Sequence, residues 1–526
     1  MIPLNSMIPL NSMIAGRVRA WPVAAVRAVE DELLARTPPG ALMQRAAAGL
    51  AAACLRELRA RRGRVRGARA VLLVGAGNNG GDALWAGARL AARGVAVDAV
   101  QLAPTLHPEG LAGLRAAGGR LHDAADAEAL LRRADLVVDG IVGLGGSPGL
   151  REPAAGVVRT LDALRAGGAP LVVAVDLPSG VDPGTGETPK AHVRADLTVT
   201  FGALKPCLLL PPASRAAGRV ELVDIGLLPG LADAHEPAVE RLTTSGAAAL
   251  WPVPGPDDDK YRRGVVGVVA GSPAYTGAAV LAVGGALRAG AGMVRYVGPD
   301  HPAEQVRAHW AEAVVGTGRV QAWVLGSGVD PDAGDGQADA VRAGLADGLP
   351  CVVDAGALAL LGADRGLWRA LGPQTVLTPH AGELARLLGT LRGEDVARGD
   401  VEARPLAAAR ELVEATGATV LVKGSTTLVV PPQGPVRSVA QAPAWLATAG
   451  AGDVLAGILG TLLAAGLDPA DAAALAADVH GRAATIASRG PEEGGDGNED
   501  PGGPVLAGDV ASAVQAGVRA LLRSRA

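Results

Sequence analysis

A chain of 526 residues exceeds what one compact core normally serves, so at least two domains are expected. Apolar residues make up 49% of it and the formal net charge is −4, which offers no electrostatic footprint for nucleic acid or an anionic membrane. Cys54, Cys207 and Cys351 lie far apart without metal-ligand spacing, which argues against a disulfide framework or a zinc site and for a reducing, cytoplasmic setting.

In chain order, residues 1–6 (MIPLNS) recur as 7–12, and Met13 follows at once. With no basic n-region and no long apolar stretch this is not a signal peptide. Residues 1–19 are read as a disordered leader, with Met13 as an alternative start. From 23 to about 60 the periodicity is helical, broken at Thr37-Pro-Pro-Gly40. Residues 70–74 read as a buried strand, followed by a glycine loop and a helix over 83–93. Further strands are expected at 95–102, 136–139, 171–175, 197–201 and 220–225. Strands alternating with helices imply a parallel sheet covered on both faces. A stretch without clear periodicity, 229–242, is read as the linker between a domain at 20–228 and another at 243–526. The second domain repeats the α/β pattern, with strands at 265–270, 323–325, 351–354, 375–377 and 419–423. Helices are expected around 454–465, 469–487 and from 507 onward. The acidic, glycine-rich segment 489–503 reads as a flexible loop, and no apolar run is long enough for a confident membrane span.

The first glycine loop, Gly75-Ala-Gly-Asn-Asn-Gly-Gly-Asp82, has dinucleotide-fingerprint spacing, yet that match is weak alone. A ribose-holding acid should end the second strand, and Asp98 falls mid-strand. The loop is also unusually polar. Asp139 and Asp176 end two neighbouring strands; one such Asp more often caps a turn, but two facing an Asn-rich loop favour a site. Asn79, Asp139 and Ser179 form an oxygen-ligand set suited to K⁺ or Na⁺, leaving Asp176 free as acid/base. Gly143-Leu-Gly-Gly-Ser-Pro-Gly149 is a second phosphate-type loop, and Lys205 follows the strand ending at Phe201.

These motifs, with Val138-Asp-Gly-Ile-Val-Gly143, Val175-Asp-Leu-Pro-Ser-Gly180, Thr198-Val-Thr-Phe201 and Asp224-Ile-Gly226, make residues 20–226 resemble the NAD(P)H-hydrate epimerases. The resemblance implies a Rossmann-like three-layer domain. In it Asn78, Asn79, Gly80, Gly81 and Asp82, and the loop Gly143, Leu144, Gly145, Gly146, Ser147, Pro148 and Gly149, would hold the hydrated nicotinamide nucleotide. K⁺ would bind at Asn79, Asp139 and Ser179, and Asp176 would contact the substrate as a base. Ala83 stands where many relatives have glycine, which leaves the proposed side chains intact.

In the second half, Thr448-Ala-Gly-Ala-Gly-Asp-Val-Leu455 is a glycine turn running into an apolar helix. Its backbone amides and helix dipole suit an anion. An acid there is costly unless it removes a proton during phosphoryl transfer, although an acidic first turn is also common in plain helices. Lys423-Gly-Ser-Thr-Thr427 offers a cation, amides and hydroxyls to a phosphate. Thr378-Pro-His-Ala-Gly-Glu383 places Glu383 to organise Mg²⁺ and its waters.

Together with Lys260-Tyr-Arg-Arg-Gly264, Ala270-Gly-Ser-Pro-Ala-Tyr-Thr-Gly-Ala278, Leu287-Arg-Ala-Gly-Ala-Gly292 and Gly326-Ser-Gly328, these pieces make residues 243–526 resemble the ADP-dependent NAD(P)H-hydrate dehydratases. That is a ribokinase-like family. The resemblance implies substrate contacts from Ala278, Gly328, His380 and Asp453. It implies adenine-nucleotide contacts from Lys423, Gly424, Ser425, Thr426, Thr427 and Gly452, with Asp453 as catalytic base. Ser327 replaces a proline of many relatives, and Ala449 and Ala451 stand where some relatives have Thr or Gly and Ser or Met. ADP rather than ATP follows from the resemblance and from no single residue. The implied whole is a cytoplasmic homo-oligomer acting on hydrated NADH or NADPH, with K⁺, Mg²⁺ and ADP. Two rivals are a kinase yielding a stable phosphorylated product, and a nucleotide sensor in which Asp176 and Asp453 are dispensable.

Overall fold

The computed structural model describes residues 13–14, 16–165, 168, 170–489 and 502–525. The expected leader up to residue 12, and the expected loop from 490 to 501, lie outside the described residues. The chain divides into two compact units, Met1–Ile14 with Arg19–Val239, and Ala15–Val18 with Glu240–Ala526.

The first unit holds a seven-stranded parallel sheet. Its order is Arg120–His122, Ala96–Gln101, Arg69–Val74, Leu136–Gly140, Leu171–Val175, Leu197–Phe201 and Arg219–Val223. Strands buried on both faces alternate between two cores. Ala70, Leu72 and Val74 pack with the helices Ala41–Arg62 and Asn78–Ala91; Val71 and Leu73 pack with Ala154–Arg165 on the opposite face. The chain order reverses at Arg69–Val74, whose neighbours are Ala96–Gln101 on one side and Leu136–Gly140 on the other. Open α/β sheets form their ligand crevice at the strand C-termini beside such a point.

The second unit carries parallel strands in the order Thr419–Val422, Thr375–Leu377, Cys351–Val353, Ala322–Leu325, Val265–Val269, Met293–Val297 and Val314–Val315. An antiparallel hairpin, Thr427–Val430 with Val436–Val439, extends the Thr419–Val422 side. Thr276–Arg288, Ala451–Ala464, Pro469–Arg489 and Ala507–Arg523 contribute to one large core. Glycines let two of these helices meet closely: a Cβ on Gly457 would lie 2.1 Å from Ala282 O, and one on Gly285 2.4 Å from Val454 O. No helix among the described residues is long and apolar enough to cross a membrane.

Three expectations are corrected. The helix expected over 83–93 begins at Asn78, so the glycine loop supplies its first turn. The expected leader is structured in its last part. Met13–Ile14 and Arg17–Ala20 are strands, Thr243 N donates to Gly16 O at 3.0 Å, and Arg17 pairs with Glu240 at 3.1 Å and Asp471 at 2.8 Å. The segment expected to link the domains contains the helix Leu228–Ala234 and the strand Val239–Leu242, and the two units divide at Val239 and Glu240.

Candidate active sites

At the switch point of the first unit the chain must pass very close to itself. A Cβ on Gly75 would lie 1.9 Å from Ile141 O, so only glycine serves there, and one on Gly143 would lie 2.1 Å from Asn79 Oδ1 and displace that side chain. Asn79 Nδ2 donates to Val175 O at 2.7 Å, tying the start of Asn78–Ala91 to the end of Leu171–Val175. Asp139 is fully buried. Ser179 N donates to its Oδ2 at 2.8 Å and Ser179 Oγ to its Oδ1 at 2.6 Å, while Val142 N donates to Ser179 Oγ at 2.9 Å. Burial raises the Asp139 carboxyl to about 6, against the pull of the Ser179 hydrogen bonds. Asp139 has no cationic side chain in any ion pair of the described residues. A buried carboxylate beside an amide, a hydroxyl and a carbonyl oxygen fits a weakly hydrated monovalent cation.

Asp176 follows the next strand with φ +68, a left-handed conformation that costs a non-glycine residue strain and recurs at functional sites. Lys205, 2% exposed, donates to Asp176 Oδ1, as do Thr200 Oγ1 at 3.0 Å and Phe201 N at 3.2 Å. All of these bonds go to Oδ1. Asp82 is buried in the same crevice and its Oδ1 accepts no hydrogen bond. Burial first, then the Asp176 and Glu30 carboxylates, raises Asp82 well above the usual range. In the second glycine loop, Arg27 donates to Leu144 O, Gly146 N to Gly143 O at 3.1 Å, and Gly149 N to Gly180 O at 2.8 Å. Gly145 is open on its Cβ side. Asp98 accepts from Arg120 at 3.0 Å and contacts His122 at 2.9 Å, a structural pairing within the sheet.

In the second unit the strand ends again converge. Asp354, 2% exposed, accepts from Lys423 Nζ at 2.7 Å and Thr378 Oγ1 at 2.9 Å. Glu383 Oε2 lies 3.6 Å from Lys423 Nζ and accepts from His380 N at 2.7 Å. His380 Nδ1 accepts from Gly382 N and Glu383 N, so the pair closes a capping box at the start of Ala381–Arg392. Burial pulls the Lys423 ammonium down, and Asp354, Glu383 and Asp453 more than offset it. A Cβ on Gly452 would stand 3.6 Å from Lys423 Nζ and 3.7 Å from Asp354 Oδ2. Beside it Asp453 lies in the first turn of the helix Ala451–Ala464, its carboxyl raised to about 7 by burial and by Asp354. Gly328 adopts φ +65, and a Cβ there would lie 2.4 Å from Ala278 Cβ.

The structure thus brings Lys423, Gly452, Asp453, Glu383 and His380 to one place, and seats Ala278 against Gly328. Gly424, Ser425 and Thr426 bridge Thr419–Val422 and the strand that Thr427 opens. Among the described residues no group of three His, Cys, Asp or Glu side chains could hold a metal by itself. Glu383, backed by waters and phosphate oxygens, fits the few protein ligands that Mg²⁺ usually takes.

The family models agree with this division. The family described as "YjeF-related protein N-terminus" matches residues 39–207, and that described as "NAD(P)H-hydrate dehydratase" matches 266–493. The bifunctional NAD(P)H-hydrate repair enzyme of Mycobacterium leprae is 47% identical over 480 residues, spanning 90% of this chain and 95% of that protein. The chain belongs to the bifunctional NAD(P)H-hydrate repair enzymes. Within this family the Escherichia coli enzyme is 32% identical over 451 residues, covering 79% of this chain and 80% of its own length. An NAD(P)H-hydrate epimerase of Microbacterium testaceum is 44% identical over 225 residues, 42% of this chain and 84% of that one. A Bacillus subtilis ADP/ATP-dependent NAD(P)H-hydrate dehydratase structure is 22% identical, covering 53% of this chain and 97% of that one, with a TM-score of 0.43. The repair-enzyme halves correspond to the two α/β units.

The structure places three further charged groups in these clusters that the sequence does not single out. Asp354 reads from the sequence only as a strand end, although it occupies the same topological position as Asp139 and Asp176. Lys205 had no assigned role, yet it is the buried partner of Asp176. Glu30 lies on Val23–Arg36, outside any glycine motif, and is coupled to Lys205 and Asp176; no local signal marks it.

Proposed function

We propose that the first unit interconverts the R and S epimers of hydrated NADH and NADPH, and that the second dehydrates the S epimer with ADP. The observation that carries this reading is Asp453. It is a carboxyl titrating at about 7, next to a glycine whose missing side chain opens space at Lys423. A base poised near the working pH beside a phosphate cradle suits proton removal coupled to phosphoryl transfer.

In the dehydratase unit Asp453 takes the proton of the ring hydroxyl, and that oxygen attacks the terminal phosphorus of ADP. AMP leaves, Lys423 and the amides at Gly452 stabilise charge on the phosphate oxygens, and Ser425, Thr426 and Thr427 hold the nucleotide. The phosphorylated ring carbon then loses phosphate while its neighbour loses a proton, restoring the ring double bond. Mg²⁺ beside Glu383 would neutralise phosphate charge. Ala278, Gly328 and His380 bound the hydrated ring. In the epimerase unit Asn78, Gly80, Gly81 and the loop from Gly143 to Gly149 cradle the nucleotide. K⁺ at Asn79, Asp139 and Ser179 would fix the two loops, and Asp176 moves the proton. A cytoplasmic homo-oligomer acting on these small molecules completes the reading.

The test follows recovery of reduced-nicotinamide absorbance from an R/S hydrate mixture with ADP, Mg²⁺ and K⁺. Wild type should recover all of it, Asp176→Ala quickly only the S share, and Asp453→Ala none. Failure of wild type to recover any, with a phosphorylated product instead, overturns the reading in favour of a kinase.

A further inference from the structure

The epimerase unit contains a carboxyl group with no structural employment. Asp82 is 6% exposed, and its Oδ1 is buried without a hydrogen-bond partner. Buried carboxyls are normally paired or capped, because an unsatisfied polar atom costs about 1–3 kcal/mol. Asp82 is neither, although it sits within the first turn and a half of Asn78–Ala91. The cation that opposes the Asp82 carboxyl, Lys205, is committed to Asp176 Oδ1, Thr200 Oγ1 and Phe201 O. Asn79 binds Val175 O, so the helix start that carries Asp82 is fastened to the strand end that carries Asp176.

Chemistry supplies the missing employment. Inverting the hydrated carbon through loss and return of water needs an acid to let hydroxide leave as water. It also needs a base to accept a proton when water returns on the other face. Asp176 offers a base but is surrounded by donors. Asp82 has no donors, and the groups facing it are Glu30 and Asp176, with Lys205 alone opposing them. His107 packs against the neighbouring Gly81, its ring lying 2.9 Å from where a Cβ on Gly81 would stand. Burial and those two carboxylates raise the Asp82 carboxyl well above the usual range and so favour its protonated form. Glu30 is itself raised by burial, against the pull of Lys205, and is only half-buried, which gives Asp82 a neighbour able to exchange protons with solvent.

We propose that Asp82 is the general acid of the epimerase site. Its proton passes to the ring hydroxyl, the carbon–oxygen bond breaks with its electron pair leaving on water, and the ring nitrogen lone pair forms a carbon–nitrogen double bond. Water then adds to the opposite face, that double bond returns its electrons to nitrogen, and the added water loses a proton to Asp176. Transfer from Asp176 to Asp82, by way of solvent and Glu30, completes the cycle without any outside reagent. This role rests on the epimerase reading of the first unit.

The experiment uses the full chain with purified R hydrate, K⁺ and no ADP, following S hydrate by chromatography in heavy-oxygen water. Asp82→Asn keeps the shape and gives up the transferable proton. Its kcat should fall about 100-fold or more with KM within a few-fold, since general acids typically contribute about 10²–10⁴-fold. Wild-type kcat should decline at alkaline pH with a limb that Asp82→Asn lacks, and each inversion should place one heavy oxygen on the ring. Should Asp82→Asn fold poorly, the wild-type oxygen label and alkaline limb still decide. Unchanged kcat in a folded Asp82→Asn, or inversion without label, overturns the acid role while leaving the epimerase reading intact. A wild type that converts no R hydrate overturns both.

Discussion

Asp453→Asn should stabilise the second unit as it destroys its activity. The Asp453 carboxyl titrates at about 7 in the folded protein against 3.8 ordinarily, because burial and Asp354 both oppose its charge. Between those values the folded state holds a proton that the unfolded state has released, so stability falls as pH rises from about 4 to about 7. At about 1.4 kcal/mol per tenfold, the full cost above neutrality is about 4 kcal/mol, and partial access to water should reduce it to about 2. Asparagine removes the charge and with it the cost. The attraction of Lys423 is already contained in the value of about 7 and needs no separate correction. Urea unfolding of variant and wild type at about pH 8 should therefore differ by about 2–4 kcal/mol in favour of the variant, and the difference should shrink toward zero near pH 4. Equal stabilities at about pH 8, or a difference that does not change with pH, would refute the assignment of a raised carboxyl here.

Gly143→Ala puts a methyl 2.1 Å from Asn79 Oδ1, so epimerisation should fall by about 100-fold, a loss comparable to misplacing a reacting group. Dehydration of pure S hydrate by the same protein should be unaffected. Lys423→Met strips the buried Asp354 of its ammonium and should cost about 3–5 kcal/mol in denaturant unfolding; a smaller loss on Lys423→Arg is the control. Replacing K⁺ by Li⁺ should slow epimerisation several-fold and leave dehydration alone, and Asp139→Asn should abolish that cation dependence.

Most strands were legible because buried parallel strands are short apolar runs. Leu171–Val175, Leu197–Phe201 and Thr375–Leu377 agree with the expected limits residue for residue. The hairpin was not, since four-residue strands around Pro431-Pro-Gln-Gly-Pro435 resemble loop. The start of Asn78–Ala91 was hidden for a different reason: Gly80 and Gly81 lower helix propensity. They are there for packing, as a Cβ on Gly80 would meet Gly75 O at 2.3 Å. Candidate residues in the glycine motifs stand out through their spacing. Asp354 and Lys423 were not recognisable as a pair, because they are 69 residues apart and meet only when Cys351–Val353 and Thr419–Val422 enter the same sheet.

The two units reach similar electrostatics through unrelated motifs. Each has one buried or half-buried lysine committed to a carboxylate at a strand end, Lys205 to Asp176 and Lys423 to Asp354. Each has a further aspartate early in a helix that is left without such a partner, Asp82 in one and Asp453 in the other. A lone ammonium shared evenly between two carboxylates would hold both charged and leave neither able to carry a proton near neutrality. Committing it to one orients that side chain and concentrates the burial cost on the second. That second carboxyl is raised in each unit, well above the usual range in Asp82 and to about 7 in Asp453. Neutralising Lys423 should therefore change proton transfer at Asp453 as well as phosphate binding. Since Lys423 lowers the Asp453 carboxyl, its removal should move the dehydratase pH profile to higher pH, whereas a lysine acting on phosphate alone would change the rate at every pH by the same factor.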